Sequence, residues 1–200
     1  MWCVPPKSVS AMADEFNLAC NLFFESDGMH ETINVVSDTW LPAQAGSVKV
    51  NIDAGCFKDN YTCWGLISRD HQGVVQAAAT KRERITCSPN LAEALGLRWC
   101  LQWVKTQNLQ NVVIEMDAAN VVNCIMGKLN CVEIDFIIVD CLDILVSLLN
   151  VSVVAVKRCK NKAAHALVGV ARSVGTKEWI GNVPDSVSAI VISELLDCNE

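Results

Sequence analysis

The stretch that decides the fold is residues 47–80, SVKVNIDAGCFKDNYTCWGLISRDHQGVVQAAAT. At its start, over 48–52, apolar residues alternate with polar ones, and the polar series ends at Asp53. This alternation is typical of a half-buried strand. Two further strands are predicted over 61–68 and 74–80, because turn-forming residues separate them. Three strands on short connections predict an antiparallel meander.

After the meander the sequence changes to helical periodicity. Ser88-Pro89 predicts a helix start, with serine as the N-cap and proline at the first helical position. The elements predicted from there on are a helix at 90–107, a strand at 111–117, a short helix at 118–126, a long helix at 131–149, a strand at 151–156 and a helix at 161–172. This order predicts an α/β (mixed α+β) fold with a five-stranded mixed sheet, its first three strands antiparallel and its helices on both faces.

We expect three parts in the chain. Residues 1–46 are predicted to be an N-terminal leader and linker with one short helix at 11–24, and residues 47–172 to be the folded domain. Residues 173–200 are predicted to be a C-terminal tail that contains one apolar piece.

The composition excludes several classes of protein. Of the 200 residues 52% are hydrophobic and 19% charged, which supports a sizeable core and excludes general disorder. The net charge of −6 argues against coating nucleic acid by bulk charge, although a local basic track stays open. No run reaches the roughly 18 uncharged residues that cross a bilayer, so no membrane association is expected. The 11 scattered cysteines are typical of reduced thiols, and we expect an intracellular protein.

Three acidic residues lie on otherwise apolar elements. Asp53 ends the first strand, Glu93 lies inside the first long helix, and Asp117 ends the fourth strand. Convergent carboxylates repel one another and therefore need divalent cations, and oxygen ligands favour Mg²⁺ or Mn²⁺. Two such ions about 4 Å apart can activate water and stabilise a leaving oxygen in phosphodiester cleavage. Taken singly, each acid is explained as well by a solvated turn or helix surface.

Five blocks of sequence follow one another with a spacing typical of a known family. They are WLPAQAGSVKVNIDAG at 40–55, WGLISRDHQG at 64–73, AEALGLR at 92–98, VIEMD at 113–117 and RCKNKAAHAL at 158–167. Together they resemble the type 1 ribonuclease H-like domain, in its reverse-transcriptase-associated branch common in plant genomes. The resemblance covers about 47–172.

The resemblance implies that the first and fourth strands are neighbours, so that Asp53, Glu93 and Asp117 meet and bind two Mg²⁺ ions, with Mn²⁺ as an alternative. The implied activity is endonucleolytic hydrolysis of the RNA strand of an RNA–DNA hybrid, which leaves a 3′-hydroxyl and a 5′-phosphate. Where the family has its fourth catalytic acid, this chain has His165, and the activity is expected to be reduced. Imidazole can ligate a metal but suits Mn²⁺ or Zn²⁺ better than Mg²⁺. The same position fits equally well a helix-start histidine that holds no metal.

Contacts with nucleic acid are expected near these acids and in two basic clusters, 81–84 and 157–162. Each cluster is explained as well by an ordinary solvated turn that contacts no nucleic acid. The residues that we expect to contact the hybrid are Asn51, Gly55, Asn120, Arg158 and Asn161.

Three functions therefore stay open: a hybrid-cleaving ribonuclease, a catalytically weakened nucleic-acid-binding module, and an interaction protein whose leader and acidic long helix bind a partner. Position 165 distinguishes the first two, because loss of the fourth acid would explain lost hydrolysis.

Overall fold

The computed structural model describes residues 11–14 and 38–198. Its strands are β1 (Val48–Phe57), β2 (Tyr61–Arg69), β3 (Val75–Glu83), β4 (Val112–Met116), β5 (Val151–Ala155) and β6 (Lys177–Ile180). Its helices are α1 (Pro89–Thr106), α2 (Ala119–Ile125), α3 (Asp135–Val146), α4 (Lys162–Val174) and α5 (Asp185–Leu196), with a 3₁₀ turn at Arg158–Lys160. No helix within the described part of the chain is both long enough and apolar enough to span a bilayer.

All six strands form one mixed sheet in the order β5-β4-β1-β2-β3-β6. The predicted meander is confirmed, since β2 pairs antiparallel with both β1 and β3. On the other side, β4 pairs parallel with β1 and β5 pairs parallel with β4. The predicted count of five strands is wrong, because β6 adds an antiparallel strand beside β3. This strand is four residues long and starts with Lys177 and Glu178, so it lacks the periodicity that reveals a strand in sequence.

The helices cover both faces of the sheet, as predicted. Leu66 packs in a core with α1 and α3, whereas its neighbour Ile67 packs in a second core with α4 and α5. Successive side chains of a strand point to opposite faces, so the two cores lie on opposite sides.

The segment expected as a C-terminal tail contains β6 and α5, and α5 is tied to the sheet by a buried ion pair. The side chain of Arg69 on β2 is 0% exposed, and its Nη1 lies 2.6 Å from Oε2 of Glu194 on α5. The same guanidinium stacks on the ring of Trp40, 3.4 Å from its centroid. A buried charge is costly without its partner, so this pair fixes α5 against β2.

Little of the predicted leader is described. Residues 11–14 are helical, and Met12 and Ala13 are buried against the first core. The rest of the predicted helix at 11–24 lies outside the described residues. Trp40, expected in a linker, is buried and donates its indole N–H to Oδ1 of Asn51 at 3.0 Å.

Strand register and a close helix contact position the acidic residues, and a second close contact positions the helix that carries His165. The parallel pairing of β1 with β4 ends at Asn51 and Glu115, so Asp53 and Asp117 both follow two residues later at the end of β4. Asp53 does not end the first strand as predicted, because β1 continues to Phe57 in its pairing with β2. On the first face, Gly96 of α1 brings this helix close to Trp64, where a Cβ would meet Cδ1 at 2.7 Å. On the second face, a Cβ on Gly65 would lie 2.5 Å from the carbonyl oxygen of Ala164 on α4.

Candidate metal centre and nucleic-acid interface

Three carboxylates from three elements converge at the end of β4. Asp53 comes from β1, Glu93 from α1, and Asp117 directly follows β4. One ligand oxygen from each lies within 4.8 Å of the others. Among the residues that the structure describes, no other set of three or more His, Cys, Asp or Glu side chains has such metal-binding geometry. The structure thus brings together the three acids that were predicted to meet.

Burial and the repulsion between neighbouring carboxylates raise the pKa values of Glu93 and Asp53. Burial raises the pKa of Glu93 to about 8, and the negative charges of Asp53 and Asp117 contribute to that rise. Burial also raises the pKa of Asp53, whereas its hydrogen bond with His165 opposes the rise. Because its pKa is raised to about 8, the carboxyl of Glu93 is mostly neutral at pH 7, and such a perturbed carboxyl is typical of a functional acidic cluster.

The donor set fits a divalent cation. Oε2 of Glu93 is buried and has no hydrogen-bond partner among the described residues. An orphaned buried oxygen is costly, and a hard cation would satisfy it while removing the repulsion between the acids. Because all three donors are carboxylates, Mg²⁺ or Mn²⁺ suits the site better than a thiol-seeking metal.

Asn161 orients one of the acids. Its Nδ2 donates to Oδ1 of Asp117 at 3.2 Å and to the backbone oxygen of Ile52 at 3.0 Å. The residue is 1% exposed, and its Oδ1 is buried with no hydrogen-bond partner among the described residues, so its amide faces the protein interior rather than a substrate. Asn161 therefore positions Asp117 against the middle of β1, beside Ile52.

His165 stands beside the cluster, at its solvent side. Its Nδ1 lies 2.7 Å from Oδ2 of Asp53, while its side chain is 51% exposed. Arg158 contacts His165 and Asp117. Its Nη2 lies 3.0 and 3.1 Å from the two ring nitrogens of His165, and its Nη1 lies 3.3 Å from Oδ2 of Asp117. These two exposed side chains flank the carboxylates and are placed to contact a bound anion.

The other expected nucleic-acid contacts lie in different surroundings. Asn51 is fully buried and donates to Oε2 of Glu115 at 2.9 Å, so it has no exposed group for a substrate. Gly55 is half-buried and leaves room for α4, because a Cβ there would meet Cγ1 of Val168 at 2.6 Å. Asn120 is exposed at the start of α2, three residues after Asp117.

The sequence of residues 51–171 matches the profile of a family described as reverse transcriptase-like. The chain belongs to this reverse transcriptase-like family. The predicted resemblance to a ribonuclease H-like domain is confirmed by this match together with the solved structures that share the fold. A comparison with curated proteins found no match.

Solved structures similar to this reverse transcriptase-like chain include ribonucleases H. RNase H1 from the halophilic archaeon Halobacterium salinarum is 19% identical with a TM-score of 0.59, over 64% of this chain and 98% of that one. The N-terminal RNase H domain of a Mycobacterium tuberculosis protein, solved as a fusion with maltose-binding protein, is 25% identical with a TM-score of 0.52, over 62% and 94%. LC11-RNase H1, solved in complex with an RNA/DNA hybrid, is 18% identical with a TM-score of 0.56, over 62% and 95%. The fold of this family member is thus ribonuclease H-like.

Two features of the site were not predicted from the sequence. Asn161 was expected to contact substrate, yet it holds Asp117, and the only signal for this was its place directly before a helix. Ile190 on α5 lines the same groove as His165 of α4, and nothing in the sequence of the expected tail indicated this.

Proposed function

We propose that this protein is a divalent-metal-dependent endoribonuclease that hydrolyses the RNA strand of RNA–DNA hybrids. The observation that carries the proposal is the convergence of Asp53, Glu93 and Asp117 within 4.8 Å, on a ribonuclease H-like fold. The similar LC11-RNase H1, which was solved with an RNA/DNA hybrid, supports this choice of substrate.

Each residue of the centre has a role that its contacts support. The three carboxylates would hold divalent cations, which when bound activate a water molecule and stabilise the leaving 3′ oxygen. The proton on the Glu93 carboxyl must leave before both of its oxygens can act as ligands. Asn161 keeps Asp117 aimed at the site through its 3.2 Å hydrogen bond.

Recognition of the hybrid falls to exposed groups around the acids. Hybrids are recognised largely through their shape, 2′-hydroxyls and phosphates in a wide minor groove. Arg158 offers a guanidinium suited to phosphate, and Asn120 offers an amide that can bond a hydroxyl or a base edge. Both side chains are exposed, so neither has to move out of the core to reach a substrate, and Arg158 contacts Asp117 directly.

A second function is favoured by one observation. His165 occupies the position of the fourth acid and bonds Asp53 at 2.7 Å, so it adds no negative charge to the site. The protein would then be a nucleic-acid-binding module with weakened catalysis. His165→Asp distinguishes the two functions. A rise in cleavage of more than about tenfold, or about 1.4 kcal/mol of barrier, would identify the native histidine as the limitation.

The test is a cleavage assay with end-labelled RNA–DNA hybrid, duplex RNA and duplex DNA, in Mg²⁺, Mn²⁺ and EDTA. We expect cut RNA from the hybrid with either cation, loss of that cleavage in Asp117→Asn, and full activity in Asp143→Asn, which changes an exposed acid on α3. A hybrid left intact in both cations, but still bound, would support the weakened module. A hybrid neither cut nor bound would contradict both functions.

A further inference from the structure

A groove with a volume of about 460 Å³ opens next to the carboxylates. It lies between the 3₁₀ turn, the first turn of α4 and the C-terminal helix α5. Its lining residues are Arg158, Cys159, Lys162, His165, Ala166 and Ile190. The volume is within the range of about 300–1,000 Å³ that is typical of small-ligand sites.

The chemistry of the groove suits one nucleotide. Arg158 and Lys162 bring two exposed cations to it, and among the residues that the structure describes no acidic side chain lines it. Lys162 forms no ion pair with residues 11–14 or 38–198, so its ammonium is available. Ala166 and Ile190 supply an apolar surface beside these cations. A nucleotide matches this arrangement, because its phosphate can pair with the cations while its less polar ribose and base contact the apolar surface.

The groove shares two side chains with the metal centre. His165 lines the groove and bonds Asp53, and Arg158 lines the groove and contacts Asp117. A strand whose scissile phosphate lies on the carboxylates would therefore place its next nucleotide here. Ile190 comes from α5, outside the residues 51–171 that match the family, so the groove depends on a helix that the family match does not include.

We propose that this groove holds the nucleotide adjacent to the scissile phosphate on the RNA strand, with its phosphate on Lys162 and Arg158. The proposal rests on the proposed function, because it takes the carboxylates as the cleavage site. It adds a subsite that makes binding depend on α5.

The first measurement is hybrid affinity in a Glu93→Gln background, which keeps the side-chain shape and prevents cleavage. We expect Lys162→Ala to weaken hybrid binding about 3- to 10-fold. We also expect it to lower the slope of log K against log salt by about 1, as for one lost phosphate contact. The matched control is Lys105→Ala at the far end of α1, where the ammonium bonds the hydroxyl of Ser147, and it should change neither quantity.

The second measurement locates the phosphate. Hybrids carrying one neutral methylphosphonate at successive positions are titrated, in the same Glu93→Gln background, with the protein that retains Lys162 and with the Lys162→Ala variant. We expect one position on the RNA strand, adjacent to the cut site mapped with wild-type protein, to depend on the lysine. A methylphosphonate there should weaken binding to the protein that retains Lys162 and leave binding to the Lys162→Ala variant unchanged. Ile190→Ala should weaken binding without changing the salt slope, and its thermal unfolding checks that α5 remains folded.

The results separate the two proposals. The groove assignment is supported if the methylphosphonate whose effect depends on Lys162, called the coupled linkage, lies next to the cut site on the RNA strand. If Lys162→Ala behaves like Lys105→Ala, or if the coupled linkage lies on the DNA strand, the groove assignment is overturned while the ribonuclease function stands. Wild-type protein that neither binds nor cuts the hybrid would overturn both.

Discussion

The repulsion among the three acids has a consequence for stability that can be measured without any substrate. In the metal-free protein, burial and the neighbouring charges raise the pKa of Glu93 from 4.5 to about 8. One pKa unit corresponds to about 1.4 kcal/mol, so the ionised form of Glu93 costs at most about 5 kcal/mol of folding free energy. Domains of this size have total stabilities of about 5–15 kcal/mol, so the effect is large.

The direction of the pH dependence follows from the raised pKa. The folded state holds the proton of Glu93 more tightly than the unfolded chain does. Its stabilising contribution is therefore complete below about pH 4.5 and is lost as the pH rises to about 8. The raised pKa of Asp53 acts in the same direction. Glu93→Gln stays neutral at every pH and should keep the stability that the wild type loses.

The assay is urea unfolding in EDTA at several values between pH 5 and pH 8. We expect the unfolding free energy of the wild type to fall over this range relative to Glu93→Gln. The control variant Glu133→Gln, which changes an exposed glutamate, should show the same pH dependence as the wild type. Adding millimolar Mg²⁺ at pH 8 should restore the wild type and leave Glu93→Gln nearly unchanged. A Glu93→Gln protein that is less stable than the wild type at pH 8 in EDTA would refute this reasoning.

Two further predictions concern packing and are checked by urea unfolding. Arg69→Met leaves the carboxylate of Glu194 buried without its partner and should lower the free energy of unfolding by about 3–5 kcal/mol. A double variant with Glu194→Leu should recover much of that loss. Equal stabilities of the single and double variants would argue against a buried ion pair. Gly65→Ala should cost about 1–3 kcal/mol, because the new Cβ would lie 2.5 Å from the carbonyl oxygen of Ala164. The control is Gly169→Ala on the exposed side of α4, where a Cβ would meet no atom within 4 Å. This variant should be neutral or stabilising by up to about 1 kcal/mol. Similar losses of stability in both glycine variants would contradict the predicted close contact.

Local sequence patterns were enough to predict most of the sheet and the helices. Alternation over 48–52 and the turns after it specify the meander by themselves, because short-range pairing depends on the residues within each hairpin. The Ser88-Pro89 start of α1 is also local, and the structure has Ser88 as the N-cap, its hydroxyl accepting from the backbone N–H of Leu91. The convergence of the acids needed the family resemblance, since periodicity does not specify which strands are neighbours.

The features that the sequence did not reveal depend on contacts between distant parts of the chain. The four-residue strand β6 exists because it pairs with β3, about 100 residues earlier, and its own residues carry little strand signal. Substrate contact was predicted for Asn51 because it is two residues from Asp53, and for Asn161 because it lies in the basic cluster 157–162. Their burial is determined by Trp40, Glu115 and Asp117, which come from other elements.

The central claim, that the three carboxylates form a divalent-cation site, is tested most directly by titrating the metal-free protein with Mn²⁺ and following free Mn²⁺ by electron paramagnetic resonance. We predict saturable binding with release of about one proton at pH 7, because the carboxyl of Glu93 is protonated before the ion arrives. Asp117→Asn should weaken this binding strongly, whereas Asp143→Asn should bind like the wild type. Binding that is absent, or that is the same in all three proteins, would contradict the claim.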